Sequence, residues 1–218
     1  MTMAPAAPRV VVVDYGAGNL VSIEQALTAA GARVSRAVTG DDIDGPDLLV
    51  VPGVGAAAPA MDRLREGGFL GPIRAWIEAD RPFLGICLGL QLLYEGSDED
   101  GAQTLGILPG RTVRLDGAPT LPHIGWNQVV RRWSHPAFAG IADDADFYFV
   151  HSFVGQPDGP SADALILADT EHGSRFASAV ARGRLLGVQF HPERSGSNGL
   201  RLIANVVAAA RAAAPSLA

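Results

Sequence analysis

Cys87 is the only cysteine in a chain of 218 residues, and it sits within Gly85-Ile86-Cys87-Leu88-Gly89. Gly-x-Cys-x-Gly is the sulfur form of the nucleophile elbow, a sharp strand-to-helix corner whose neighbours two positions away must lack side chains or collide. Gly85 and Gly89 meet that need. The corner places the sulfur at a helix N-terminus, where free N–H groups favour negative charge, and aims the N–H of Leu88 at a developing oxyanion. A lone cysteine in an apolar run reads equally well as an inert core residue, so the elbow needs partners. His191 and Glu193 can supply them. In His191-Pro192-Glu193 the proline pushes the histidine into an extended conformation, and there positions i and i+2 project to one side. A carboxylate beside an imidazole fixes its tautomer and stabilises the imidazolium, the orienting role in a nucleophile, base, acid triad.

Other chemistry is thinner. Pro52-Gly53-Val54-Gly55 follows a β-branched run, and two glycines at a strand end let backbone N–H groups approach a ligand, as the second half of an oxyanion hole must. An ordinary turn accounts for them as well. Gly16 and Gly18 invite a dinucleotide reading, but the third position of Gly-x-Gly-x-x-Gly is Val21. Of the remaining histidines, His135 reads as a surface turn residue and His172 lies in polar sequence. His123 and His151, among apolar and aromatic neighbours, read as satisfied structural groups. Cys87, His191 and Glu193 lack the paired spacing of a zinc site, so no metal and no cofactor are expected. All 17 basic residues are arginine, and the lack of lysine excludes Schiff-base chemistry, a Ser-Lys dyad and a phosphate loop ending in Gly-Lys. With a net charge of −6 and scattered arginines, there is no nucleic-acid footprint. The single cysteine suits a reducing cytoplasm, and no apolar run approaches the length of a membrane span.

These residues need a scaffold that brings them together. Arg9 to Asp14 reads as a strand buried on both faces, Ala32 to Val38 as a second strand, Asp47 to Val51 as a third, and Phe83 to Ile86 as the elbow strand. Between them, residues 22–30, 60–66 and 70–79 show helical spacing, and Leu88 to Tyr94 continues as a helix after the cysteine. Beyond Ser97 short strands dominate: 111–115, 129–131, 146–150, 164–168, 176–180 and 185–190, with a hairpin at Arg182-Gly183 and a closing helix over 199–210. The expectation is an α/β fold: a doubly wound, mostly parallel sheet with helices on both faces and antiparallel strands added to the same sheet in the C-terminal half. One domain spans 9–210, between a disordered leader (1–8) and an Ala-rich tail (211–218). Asp14, Gly53 and Cys87 fall at carboxyl ends of strands, where such sheets bind ligands.

Six stretches in order carry a resemblance. They are Asp14-Tyr15-Gly16-Ala17-Gly18-Asn19, Pro52-Gly53-Val54-Gly55, Gly85 to Leu93, Pro122-His123-Ile124-Gly125-Trp126-Asn127, Tyr148 to Ser152, and Gln189-Phe190-His191-Pro192-Glu193. Together, from about Val10 to about Val207, the chain resembles the class I (triad) glutamine amidotransferases, and within them the glutaminase subunits of imidazole glycerol phosphate synthase. The resemblance implies that Cys87 attacks the carboxamide of L-glutamine, with His191 as acid and base and Glu193 orienting it. It also implies an oxyanion hole at Gly53, Val54 and Leu88, and that Gln91, Ser152 and Phe153 hold the substrate's amino-acid end. Ammonia would pass to a cyclase subunit, a (β/α)₈ barrel in a heterodimer for histidine biosynthesis, docked against Asn19, Trp126, Tyr148 and Arg194. The family usually has lysine where Arg194 stands and tyrosine at Phe153 and His172, departures that bear on the interface. Glutaminase parts of anthranilate or guanylate synthesis share the triad, and a silent binding module would share the fold.

Overall fold

Residues 6–16, 18 and 20–212 are described in a computed structural model of the chain. Most of the expected leader and tail, and Asn19, lie outside the described residues. Consecutive valines make β1 (Arg9–Val13) a strand buried on both faces, paired in parallel with β2 (Arg33–Ala37) and β3 (Leu48–Gly53). Helix α1 (Val21–Ala29) links β1 to β2 and buries Ile23, Ala26 and Leu27, the face its spacing predicts. Helices α2 (Ala57–Glu66) and α3 (Leu70–Glu78) carry the chain from β3 to β4 (Phe83–Cys87). Val10 and Val12 share one core cluster with α1 residues and with Leu202, Ile203 and Val207 of α6 (Gly196–Ala212). Val11 and Val13 join α2 and α3 residues in the other cluster. Alternate valines of one strand thus serve two layers, and helices cover both faces of the sheet.

Strand β4 lies between β3 and β12 (Leu185–Val188), parallel to both. The expected hairpin at Arg182-Gly183 joins β12 to β11 (Ser174–Arg182), and antiparallel pairing continues through β10 (Ile166–His172), β7 (His123–Arg131) and β8 (Asp144–His151). The nine-stranded order is β2-β1-β3-β4-β12-β11-β10-β7-β8. The C-terminal strand therefore enters the sheet beside the elbow strand, which brings residues about a hundred positions apart to one edge of the sheet.

Four expectations need correction. The strand near 111–115, β6 (Gly110–Arg114), leaves the main sheet and forms a second one with β5 (Gly96–Ser97) and β9 (Phe153–Pro157), a strand not foreseen. The strand expected at 164–168 begins as a helical turn, α5 (Ala162–Leu165). The strand expected over 129–131 starts at His123, because the aromatic and β-branched motif residues pair with β8 along their full length. The helix after Cys87, α4 (Leu88–Gln91), stops short of Tyr94. Its continuation is diverted because the carbonyls of Leu92, Leu93 and Tyr94 accept from the N–H groups of Leu105, Ile107 and Gly106. No helix among the described residues is long and apolar enough to cross a membrane.

Candidate active site

Cys87 closes β4 with φ +53° and ψ −108°. Among the described residues only Asp80 is another non-glycine with positive φ. Holding a side chain in that region costs on the order of 1–3 kcal/mol and persists only where the surroundings enforce it. Here they do. A Cβ on Gly85 would stand 2.7 Å from the carbonyl oxygen of Gly89, and one on Gly89 would stand 1.8 Å from that of Val51. The two glycines let strand, corner and helix close on one another as the elbow pattern requires. With only four residues in α4, the favourable field at the sulfur comes from the free N–H groups of the first turn more than from a long helix.

Gly53, the last residue of β3, pairs with Cys87 in the parallel register. Beneath it the buried Tyr15 hydroxyl donates to the carbonyl of Pro52 at 3.0 Å. Burial, and then the charge of Cys87, push the Tyr15 hydroxyl above its ordinary pKa, so it stays a donor. Tyr15 was met in the sequence as part of a motif without a role; here it is the floor of the Gly53-Val54 turn.

After β12 the chain passes through His191, extended at φ −102° and ψ 94° as its proline predicts, into a 3₁₀ turn over Pro192–Arg194. His191 Nδ1 lies 2.8 Å from Glu193 Oε1. The His191 backbone is tied on both sides. Its N–H donates to Tyr148 at 2.8 Å, and its carbonyl accepts from the Ser195 hydroxyl at 2.6 Å. That hydroxyl in turn accepts from the Tyr148 N–H at 2.9 Å. Burial works against charge on the ring, but the Cys87 sulfur and the Glu193 carboxylate more than reverse this and raise the imidazole to about 10. Cys87 and His191 are 6% and 5% exposed, and the ring's Nε2 has no hydrogen-bond partner. The sulfur is close enough to act on the ring's charge while the pair stays outside hydrogen-bond geometry, the looseness common in a resting site. Gln189 Nε2 donates to the sulfur at 3.6 Å. Gln189 opens the last of the six stretches without a role of its own, and Ser195 lies outside them.

Two clefts meet at the site. One, of about 290 Å³, is lined by Cys87, Gln91, Glu99, Ser152 and Phe153. Gln91 is 5% exposed and spends its amide on the Phe153 carbonyl at 2.8 Å and on Gln189 Oε1 at 3.1 Å, so it braces the wall of the cleft. Glu99 is the carboxylate of this cleft. Burial and then Asp100 raise its pKa. The other cleft, of about 480 Å³, is lined by Gly53, Ile86, His191, Glu193 and Arg194. Val54 and Val150 line both, so Cys87 opens to one and His191 to the other. A third, apolar groove of about 200 Å³ lies at the opposite ends of the strands, beside Leu48, Phe83 and Leu185, and holds none of these groups.

The profile of the glutamine amidotransferase class-I family matches residues 11–210. An imidazole glycerol phosphate synthase subunit HisH from Synechococcus sp. (strain JA-2-3B'a(2-13)) is 45% identical over 205 residues, 92% of this chain and 93% of that protein. The HisH subunit from Symbiobacterium thermophilum is 46% identical over 199 residues, 90% of this chain and 92% of that protein. The chain belongs to the class-I glutamine amidotransferases, among the HisH subunits. The amidotransferase fold is also seen in the structure of PurLQS from Thermotoga maritima, at a TM-score of 0.75 and 20% identity, covering 93% of this chain and 99% of that one.

On the outer side of the amidotransferase's second cleft, three of the expected docking residues come together. Arg194 lies 4.7 Å over the ring of Tyr148, and Tyr148 meets Trp126 edge to face at 6.1 Å. Trp126 is 56% exposed and Ile124 60%, an apolar surface of the kind that marks an interface.

Proposed function

We propose that this amidotransferase is the glutaminase half of a two-subunit imidazole glycerol phosphate synthase, with Cys87, His191 and Glu193 as its triad. The observation that carries the triad is the histidine held by Glu193 at 2.8 Å and charged by the neighbouring Cys87 sulfur. A thiolate and an imidazolium are the resting state that amide attack needs.

The thiolate attacks the side-chain carbonyl carbon of glutamine. The oxyanion is received by backbone N–H groups at Gly53-Val54 and Leu88, a reading that the pairing of Gly53 with Cys87 supports. The C–N bond breaks as His191 gives its proton to the leaving nitrogen, and ammonia departs from a glutamyl thioester. Neutral His191 then takes a proton from water, the hydroxide adds to the thioester, and the C–S bond breaks. Glutamate leaves, the thiolate returns, and the proton remains on His191. Glu193 keeps the ring in one tautomer throughout. At the far end of the cleft, the Ser152-Phe153 backbone and the Glu99 carboxylate suit the carboxylate and ammonium of the amino acid.

Ammonia released into neutral water is protonated and loses its nucleophilicity, so a second exit is of use. The cleft beside His191 and Arg194 leads toward the Trp126–Tyr148 surface, where we place the cyclase barrel. A single domain over 9–210 and a cytoplasmic location belong to the same reading. The test is glutamate release measured with and without the cyclase subunit, with Cys87→Ala as control. Turnover should be slow alone, faster with the liganded barrel, and lost in the variant. Equal rates with and without the barrel would remove the coupling, and an active Cys87→Ala would remove the triad.

A further inference from the structure

Two histidines outside the triad form a buried pair beside the glutamine cleft. His123 opens β7, His151 closes β8, and the two stand opposite one another in the antiparallel register. His151 Nδ1 faces the Phe153 carbonyl at 3.1 Å. A carbonyl only accepts, so Nδ1 carries the proton. Burial, with smaller contributions from the charges of His123, His172 and His191, lowers His151 to about 3. Burial and the charge of His172 lower His123 to about 4. Both rings are therefore neutral at neutral pH, and His151 Nε2 is an acceptor. His123 Nδ1, 3.0 Å away, must donate to it, and His123 Nε2 must accept from the Asn127 amide at 3.3 Å. The same amide donates to the Glu171 carbonyl at 2.9 Å. One tautomer of each ring satisfies every link. His172 stacks on His123 at 4.0 Å and 16°, bonded through Nε2 to the Thr120 carbonyl at 3.1 Å.

The far end of this line reaches the site. The Phe153 carbonyl that takes His151 also takes Gln91, Gln91 donates to Gln189, and Gln189 donates to the Cys87 sulfur. At the same place the chain crosses at Ser152 from the nine-stranded sheet into the small one. The backbone keeps its ladders on both sides, His151 pairing with His123, Phe153 with Arg114 and the Ser152 carbonyl accepting from the Leu115 N–H at 3.0 Å, and at the Phe153 carbonyl the side-chain bonds from His151 and Gln91 join them.

We infer that the His123–His151 pair positions glutamine: by fixing the Phe153 carbonyl, it holds the Ser152-Phe153 crossing and the Gln91 brace where the substrate's amino-acid end is received. The inference rests on the glutaminase reading and adds two positioning residues to it. Releasing the pair loosens substrate binding and leaves the chemistry at Cys87 intact.

The test uses the full chain saturated with the cyclase subunit. His123→Phe keeps a ring against Phe149, His172 and Phe176 but cannot donate. Asn127→Leu removes the outer link and leaves both histidine rings in the chain. The glutamine KM should rise about tenfold in His123→Phe, the effect of losing one buried neutral hydrogen bond, and about threefold in Asn127→Leu. In both, kcat should stay within about twofold, and the rate of Cys87 alkylation by iodoacetamide, which needs no amino-acid subsite, should not change. A KM near the wild-type value in both variants overturns the inference. So does a parallel fall of KM performance, kcat, alkylation and melting temperature, which marks a purely structural pair. If His123→Phe does not fold, Asn127→Leu decides. A wild-type chain that releases no glutamate would instead sink the glutaminase reading itself.

Discussion

Gly53 stands directly across from Cys87 in the parallel pairing of β3 with β4. Parallel strands end on the same edge of a sheet, so the turn leaving one strand faces the cysteine leaving the other. A glycine there lets the backbone come close to the sulfur, and the Tyr15 hydroxyl fills the space a side chain would take.

That arrangement predicts a coupled pair. A Cβ on Gly53 would lie 2.1 Å from the Tyr15 hydroxyl and 3.1 Å from Leu88 Cβ. Gly53→Ala should lower kcat at least tenfold and destabilise the chain by about 1–3 kcal/mol. Tyr15→Phe in the same chain removes the nearest obstacle and should recover part of both. A double-mutant cycle on kcat and melting temperature checks this, and strictly additive losses would count against the contact.

Glu193→Gln keeps the size of the side chain and removes its charge. The ring then loses both its orienting acceptor and one of the charges that favour the imidazolium, and kcat should fall by about 10²- to 10⁴-fold. Steady-state turnover measures it, with Cys87 alkylation showing whether the nucleophile survives.

The same pair sets an alkaline limit. The folded pKa of His191 lies above the ordinary histidine value, so its contribution to stability is fully present below about 6.5 and is lost as pH rises toward about 10. Denaturant midpoints between pH 6.5 and 10 should decline in the wild type and decline less in Glu193→Gln. Identical slopes would refute the assignment.

His123 and His151 set an acid limit of the opposite sign. Their folded pKa values lie below the ordinary one, so stability is full above about 6.5 and falls as pH drops toward about 4 and then about 3. His123→Phe removes one titrating ring and a charge that bears on the other. Its melting temperature should fall less between pH 6.5 and 4 than that of the wild type.

Trp126 is more than half exposed and packs edge to face on Tyr148, which carries Arg194 above it. An aromatic anchor of this kind typically carries 2 kcal/mol or more of an interface. Trp126→Ala should weaken association with the cyclase subunit by about thirtyfold, read by titration of the two subunits. An unchanged Kd would move the docking face elsewhere.

The chemistry was legible in the chain because its components are local. An elbow needs two glycines around one cysteine, a proline sets the conformation of the histidine before it, and a valine run can only be a doubly covered strand. Each is a constraint among near neighbours, and each appears in the fold as read. What neighbours do not set was missed. The helix after Cys87 ends early because residues 105–107 claim the carbonyls of Leu92 to Tyr94, and β6 pairs with a strand about forty positions away. Tyr15 and Gln189 stand in quoted stretches with no role of their own and Glu99 and Ser195 in none, since all four reach the site only through the register of β1, β3, β4 and β12 and the loops beside them. The sequence by itself determined which cysteine, histidine and carboxylate stand as candidates for the triad. The tertiary structure alone decided that they share one edge of a sheet, because β12 comes home beside β4 through hydrogen bonds and packing that any strand of similar pattern could have made.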